Sequence, residues 1–314
     1  MKIVLLESLG ISQEKLDDLV KPLLLNGHEF AAYPRTSNEA QLIEEAKDAD
    51  VLMLANMPLS SNVIRACQHL KLIDIAFTGV DHVDIAAARE KGVTVCNAAG
   101  YSTQAVAELA IGQMISLLRN VPATEQRCRN GGTKDGLVGR QLSGCTVGII
   151  GTGAIGCRVA QLCGAFGSRV IGYAPRPKEN ARQYLQYVSL DELLRTADIV
   201  SLHCPLTAET KGLIGRNELS LMKPDAYLVN MARGPVVDAN ALAEALAAGR
   251  LAGAALDVFE KEPPLPVDHP LLAAPHCLVT PHIAFASRES MDLRAEIVFH
   301  SLHQWMDGSP VNLV

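Results

Sequence analysis

A glycine run, Gly151-Thr152-Gly153-Ala154-Ile155-Gly156, lies near the middle of this chain. It follows the apolar stretch Cys145–Ile150, which reads as a buried strand, and precedes Cys157–Phe166, which reads as a helix. Strand, glycine turn and helix are the context in which GxGxxG serves as a dinucleotide fingerprint. The three glycines have separate tasks. Gly151 permits the tight turn, Gly153 lets a pyrophosphate approach the backbone, and Gly156 lets the helix pack on the strand. The helix start adds unpaired N–H groups and a partial positive charge for the phosphates. About half the chain precedes the motif, which predicts a nucleotide-binding domain inserted into another domain.

The length of 314 residues fits one large domain or two of ordinary size. An apolar content of 48% with 20% charged residues suits a well-buried globule. The net charge of -6 and the lack of a long basic run argue against nucleic acid as a partner. The N-terminal apolar run Ile3–Leu6 is too short for a signal peptide and meets Glu7 at once. No stretch approaches the roughly 20 apolar residues of a membrane span. The expectation is a cytoplasmic chain without a membrane partner. None of the eight cysteines belongs to a CxxC pair, and several sit in apolar segments. They read as buried reduced thiols, with no metal site.

Short apolar runs alternate with helical patterns through the first hundred residues. Ile3–Leu6, Val51–Ala55, Leu72–Ala76 and Val93–Cys96 read as strands, and Ser12–Leu25 and Ser60–Cys67 as helices. Ser102–Leu118 is a long helical pattern, and Asn130–Gly136 a polar loop. A second series follows the glycine run, with strands at Val170–Tyr173, Ile199–Leu202, Tyr227–Asn230, Gly253–Leu256 and Cys277–Thr280. Ser287–Trp305 closes the chain as a helix expected to pack back on the first domain. Such βα alternation predicts an α/β fold with parallel sheets.

In parallel sheets ligands bind beyond the carboxyl ends of the strands. Three second-series strands end in polar groups: Arg233 after Tyr227–Asn230, Glu262 after Gly253–Leu256, and His282 after Cys277–Thr280. Singly, each is an ordinary loop residue. Together on successive strand ends they make an anion clamp, an acid partner and a proton donor. The strand after the glycine run ends at Ala174, where a dinucleotide site carries an acid for the adenosine ribose, with Arg176 and Lys178 just beyond. The missing carboxylate removes repulsion of a 2′-phosphate, and Arg176 offers a guanidinium for one. A solvent-exposed basic loop is the other reading. NAD and NADP both remain open.

These segments resemble the D-isomer-specific 2-hydroxyacid dehydrogenases. The marks are Thr78–Asp84, the glycine run, His203–Thr207, Met231–Gly234, Asp257–Pro263 and Thr280–Ile283, in the family's order along nearly the whole chain. The resemblance implies two flavodoxin- or Rossmann-like domains with parallel sheets. Residues 1–99 and 285–314 would form the substrate-binding domain, and residues 100–284 the inserted dinucleotide-binding domain. It also implies a homodimer formed through the nucleotide domains. Arg233, Glu262 and His282 fall on the family's catalytic positions. Ala154, Ile155, Met231 and Ala232 fall on cofactor-contact positions, and Asp257 on the residue that holds the nicotinamide carboxamide. Thr78, Gly79 and Val80 match a loop whose backbone N–H groups hold the substrate carboxylate. The implied activity is hydride transfer between a nicotinamide dinucleotide and a small D-2-hydroxy or 2-keto acid.

The substrate is drawn from finer marks. Asn97–Glu108 resembles glycerate dehydrogenases (hydroxypyruvate reductases), and Thr78–Asp84 resembles phosphoglycerate dehydrogenases. The latter carry an Arg-Ser pair for the substrate phosphate where this chain has Ala55–Leu59, with no cation. The chain ending at Val314 also leaves no room for their regulatory domain. Hydroxypyruvate or glyoxylate is therefore the expected keto acid. D-3-phosphoglycerate and D-lactate remain alternatives. Further readings are a nicotinamide-sensing corepressor-like binding protein, whose extended tails this chain lacks, and a phosphite- or formate-oxidising relative.

Overall fold

The computed structural model describes residues 1–261 and 264–314. The chain divides into two compact units, Met1–Ser102 with Ala286–Val314, and Thr103–Phe285.

The first unit runs β1 (Lys2–Leu5), α1 (Gln13–Leu25), β2 (Glu29–Ala32), α2 (Glu39–Ala46), β3 (Val51–Leu54), α3 (Ser61–Ala66), β4 (Leu72–Ile75), α4 (Ile85–Glu90) and β5 (Thr94–Asn97). All pairings among its strands are parallel, in the order β2-β1-β3-β4-β5. β3 and β4 are buried throughout, and β3 is accordingly an unbroken apolar run, while β4 is apolar except at Asp74. Serines set the helix starts: Ser12 accepts the Lys15 N–H and caps α1, and Ser60 caps α3. β2 is a sheet-edge strand with two exposed residues, so it lacks the apolar run that betrays its neighbours.

The second unit opens with α5 (Thr103–Leu118) and the exposed α6 (Val121–Arg129). Then come β6 (Thr146–Ile150), α7 (Ala154–Ala165), β7 (Arg169–Tyr173), β8 (Gln186–Tyr187), α8 (Leu190–Thr196), β9 (Ile199–Leu202), α9 (Arg216–Leu221), β10 (Tyr227–Asn230), α10 (Ala239–Ala247), β11 (Gly253–Leu256), α11 (Pro270–Ala273) and β12 (Cys277–Val279). The parallel order is β12-β11-β10-β9-β6-β7-β8, so strand order reverses between β6 and β9. This is the doubly wound Rossmann arrangement, while the first sheet has the flavodoxin order. The reversal opens a crevice beyond the carboxyl ends of the two strands. Helix α7 starts at Ala154, earlier than the pattern predicts, because Gly156 belongs to its first turn.

The chain ends with α12 (Arg288–Met306), capped by Ser287 and packed on β4 in the first unit. Phe299 of α12 meets Phe30 of β2 at a ring separation of 6.3 Å. Among the described residues no helix is long and apolar enough to cross a membrane.

Candidate active site

The glycine run forms the turn between β6 and α7, at the point of reversal. Gly151 has φ +92, a left-handed conformation that a side chain rarely adopts, and a Cβ there would lie 2.5 Å from Cys204 N. A Cβ on Gly156 would fall on the Gly151 carbonyl oxygen, so the helix can seat this close only with glycine. Gly153 has open space around it. The N–H groups of Ala154, Ile155 and Gly156 donate to nothing among the described residues. An open glycine followed by unpaired helix-start donors is what a pyrophosphate needs, and these residues fit a dinucleotide.

β7 ends beside this turn, with half-buried Ala174 as the next residue. The connection beyond is tied back by Tyr187, whose hydroxyl lies 2.7 Å from Thr152 Oγ1 and accepts the Lys178 N–H at 3.0 Å. Arg182 stacks over the Tyr187 ring at 5.4 Å. Arg176 is exposed and has no hydrogen-bond or ion-pair partner among the described residues.

Arg233, Asp257 and His282 gather at the ends of β10, β11 and β12. Buried Asn230 shapes the first loop: its amide donates to Arg233 O at 3.0 Å and its Oδ1 accepts the Ala232 N–H. The next residue, Gly234, packs so tightly on Phe259 that a Cβ would fall on the Phe259 carbonyl carbon. The β10 loop is thereby pinned to the β11 loop. The half-buried Arg233 also donates from Nη1 to Ala232 O at 2.9 Å.

Asp257 is fully buried and binds the β12 loop. Its carboxylate accepts the Thr280 hydroxyl at 2.5 Å and the N–H groups of Ile283 (2.9 Å) and Ala284 (2.8 Å), while its carbonyl accepts the His282 N–H at 2.8 Å. Burial pushes the Asp257 carboxyl above the usual carboxylate range, against the opposing pull of these donors and of His282. The grip holds His282 at φ +55, a left-handed conformation rare outside glycine. Its ring stands edge-on to Phe285 at 5.2 Å. Gln113 of α5 donates to Thr280 Oγ1 at 3.0 Å and extends the network. Asn230, Gly234, Thr280 and Gln113 are site-building residues that sequence reasoning did not assign. Gly234 stood inside a matching motif, whereas Gln113 carried no signal. Glu262 lies outside the described residues.

The first unit offers a second set at the carboxyl edge of its own sheet. The backbone N–H groups of Thr78, Gly79 and Val80, just past β4, donate to nothing among the described residues. Asn97 at the end of β5 steadies the loop by donating to Thr78 O at 2.8 Å. Three consecutive free N–H groups suit an anion. The segment Ala55–Leu59 contains no cation, but Arg35, three residues past β2, brings its Nη1 to Asn56 Oδ1 at 2.8 Å.

Residues 111–284 match the family described as D-isomer specific 2-hydroxyacid dehydrogenase, NAD binding domain. The chain is 38% identical over 314 residues to a D-3-phosphoglycerate dehydrogenase of Archaeoglobus fulgidus, covering 99% of this chain and 58% of that protein. It thus spans little more than half the length of the phosphoglycerate dehydrogenases it matches. A hydroxypyruvate reductase of Blautia hydrogenotrophica is 33% identical over 326 residues, covering 100% of this chain and 99% of that one. The crystal structure of the TT0316 protein from Thermus thermophilus superposes with a TM-score of 0.90 at 36% identity, with full coverage of both chains. The inserted glycine turn, the three adjacent strand-end loops and this end-to-end similarity agree: the chain belongs to the D-isomer-specific 2-hydroxyacid dehydrogenase family.

Proposed function

We propose that this chain reduces a small 2-keto acid, hydroxypyruvate or glyoxylate, to the D-2-hydroxy acid with a nicotinamide dinucleotide. The observation that carries this reading is the pinning of the Arg233 loop to the β11 loop at Gly234 and Phe259, and of the His282 loop to the buried Asp257, at adjacent strand ends. The dinucleotide, when bound at the glycine turn, supplies the hydride. Arg233 presents a planar fork suited to the substrate carboxylate and carbonyl oxygen, which a lysine would hold less well. His282, as imidazolium, donates a proton to the oxygen that becomes the hydroxyl. Thr78, Gly79 and Val80 offer backbone N–H groups to a substrate carboxylate. Met231 and Ala232, both buried, form apolar surface for the cofactor.

A homodimer through the unit 103–285 belongs to the same proposal. The exposed Val121 of α6 and the exposed Val138 support it. Eight free cysteines, five of them buried, support a reducing, cytoplasmic setting.

The test is oxidation of NADH and NADPH, in parallel, against a panel of 2-keto acids. Turnover with hydroxypyruvate or glyoxylate is expected. Dinucleotide binding with no turnover on any acid would overturn the reading in favour of a nicotinamide-sensing binding protein.

A further inference from the structure

Asn97 is the last residue of β5, an edge strand of the first sheet. Both ends of its side-chain amide are used. Oδ1 accepts the Ala99 N–H at 3.3 Å, and Nδ2 donates to Thr78 O at 2.8 Å. Among the described residues this is the one side-chain hydrogen bond to the backbone of Thr78–Val80, and the Thr78 hydroxyl is buried without a partner. A peptide unit is planar and trans, so its C=O and N–H point to opposite sides. The bond from Asn97 to Thr78 O thereby aims the Gly79 N–H away from Asn97, and polarises it as a donor.

The backbone at Asn97 is fixed from two sides. On the inner side the Ala98 N–H is shared between Ile75 O at 2.9 Å and Phe77 O at 3.1 Å, at the end of β4 and just past it. On the outer side residues 312–314 run antiparallel to β5, against a sheet whose named strands all pair in parallel. Asn97 N–H donates to Asn312 O at 3.0 Å and Val314 N–H to Val95 O at 3.0 Å, with Leu313 opposite Cys96. Asn312 enters this pairing in a left-handed conformation, φ +54. The Leu313 and Val314 side chains are exposed, so main-chain hydrogen bonds, more than burial, hold the segment to β5. A segment held in this way opens far more readily than the sheet it lies on.

We propose that Asn97 is a positioning residue for the substrate carboxylate, and that residues 312–314 are the strap that sets it. The strap fixes the Asn97 backbone, the Asn97 amide fixes the Thr78–Gly79 peptide, and that peptide presents the Gly79 N–H to the carboxylate. Loosening either link weakens the hold on the keto acid and leaves Arg233 and His282, on other strand ends, as they were. This rests on the dehydrogenase reading above and deepens how its substrate is held.

The test measures KM and kcat for the 2-keto acid that the wild type turns over best, with NADH affinity followed by fluorescence. The variants are Asn97→Ala, a chain shortened to end at Val311, and the two changes combined. Asn97→Ala raises KM about 5- to 20-fold and the shortening about 3- to 10-fold, while kcat and NADH affinity stay within about twofold. The combined variant shows no greater rise than Asn97→Ala alone, because both changes act through one path. Val314→Pro, which removes one donor from the pairing and keeps the full length, gives a smaller rise in the same direction. An unchanged KM in Asn97→Ala overturns the role of Asn97. Rises that multiply in the combined variant overturn the action of the strap through Asn97. Equal losses in kcat and NADH affinity mark a general loss of structure and overturn both. In these cases the dehydrogenase reading stands, whereas no turnover of any acid by the wild type overturns that reading as well.

Discussion

Asp257 Oδ1 accepts the Ile283 backbone N–H at 2.9 Å, and through this bond a buried carboxylate on one strand end sets the loop that carries His282. The Ala284 N–H and the Thr280 hydroxyl complete the grip. Asp257→Ala leaves two backbone donors and a hydroxyl without their acceptor. We expect a loss of about 2–4 kcal/mol in unfolding free energy by urea titration, together with a fall in kcat. A variant that keeps wild-type kcat would show that the loop is set by something other than Asp257.

His282→Gln preserves the size and polarity of the side chain but not an imidazolium proton. Turnover falls roughly 10²- to 10⁴-fold while dinucleotide affinity, followed by NADH fluorescence, stays near the wild-type value. Full activity in this variant removes His282 from proton transfer.

Ala174 is the first residue past β7, and in dinucleotide folds a carboxylate near that strand end binds the ribose 2′-hydroxyl and repels a 2′-phosphate. Ala174→Asp should lower the ratio of kcat/KM with NADPH to that with NADH by about tenfold or more. An unmoved ratio would show that the β7 end does not contact the ribose.

Gly151→Ala forces a Cβ to within 2.5 Å of Cys204 N at a φ of +92. The strain of about 1–3 kcal/mol appears as a lower melting temperature and weaker NADH binding. Gly164→Ala, in the same region but within α7 and with nothing within 4 Å of the added Cβ, is the control. It stabilises by about 0.5–1 kcal/mol, since alanine loses less backbone entropy in a helix.

Asp74 is fully buried in the middle of β4, and neither carboxylate oxygen has a hydrogen-bond partner among the described residues. The register places it in a row with Leu5, Met53 and Cys96. Burial raises its carboxyl well above the usual range and pushes the neighbouring Cys96 thiol up to about 12, with the Asp74 charge adding to that rise. Because the folded value exceeds the unfolded one, the stability linked to Asp74 is full below the unfolded value and is lost as pH rises through the folded one. Asp74→Val, similar in shape, should therefore gain on the wild type with rising pH, by about 1–3 kcal/mol in urea unfolding at pH 8. A constant difference between pH 4 and pH 8 would contradict this linkage.

Strands buried on both sides were readable because burial demands apolar residues without interruption. β9, β10 and β11 have the bounds read from the sequence, although β9 includes Ser201 and β10 ends on Asn230. β2 and β8 lie at sheet edges, where half the residues meet water and that demand lapses. Arg233 and His282 were legible as polar residues immediately after such runs. Gln113 was not, because a hydrogen bond between residues 167 positions apart leaves no local pattern.

Sequence alone determined the βα alternation, the mid-chain glycine turn and the strand-end positions of Arg233 and His282, since periodicity and glycine requirements are local. Only the tertiary structure decided which strand lies beside which, that Asp257 holds the His282 loop, and that Arg35 supplies a cation absent from Ala55–Leu59. Strand order and charge placement are set by packing between distant segments. The guanidinium reaches Asn56 across the sheet edge although the two residues stand 21 positions apart in the chain.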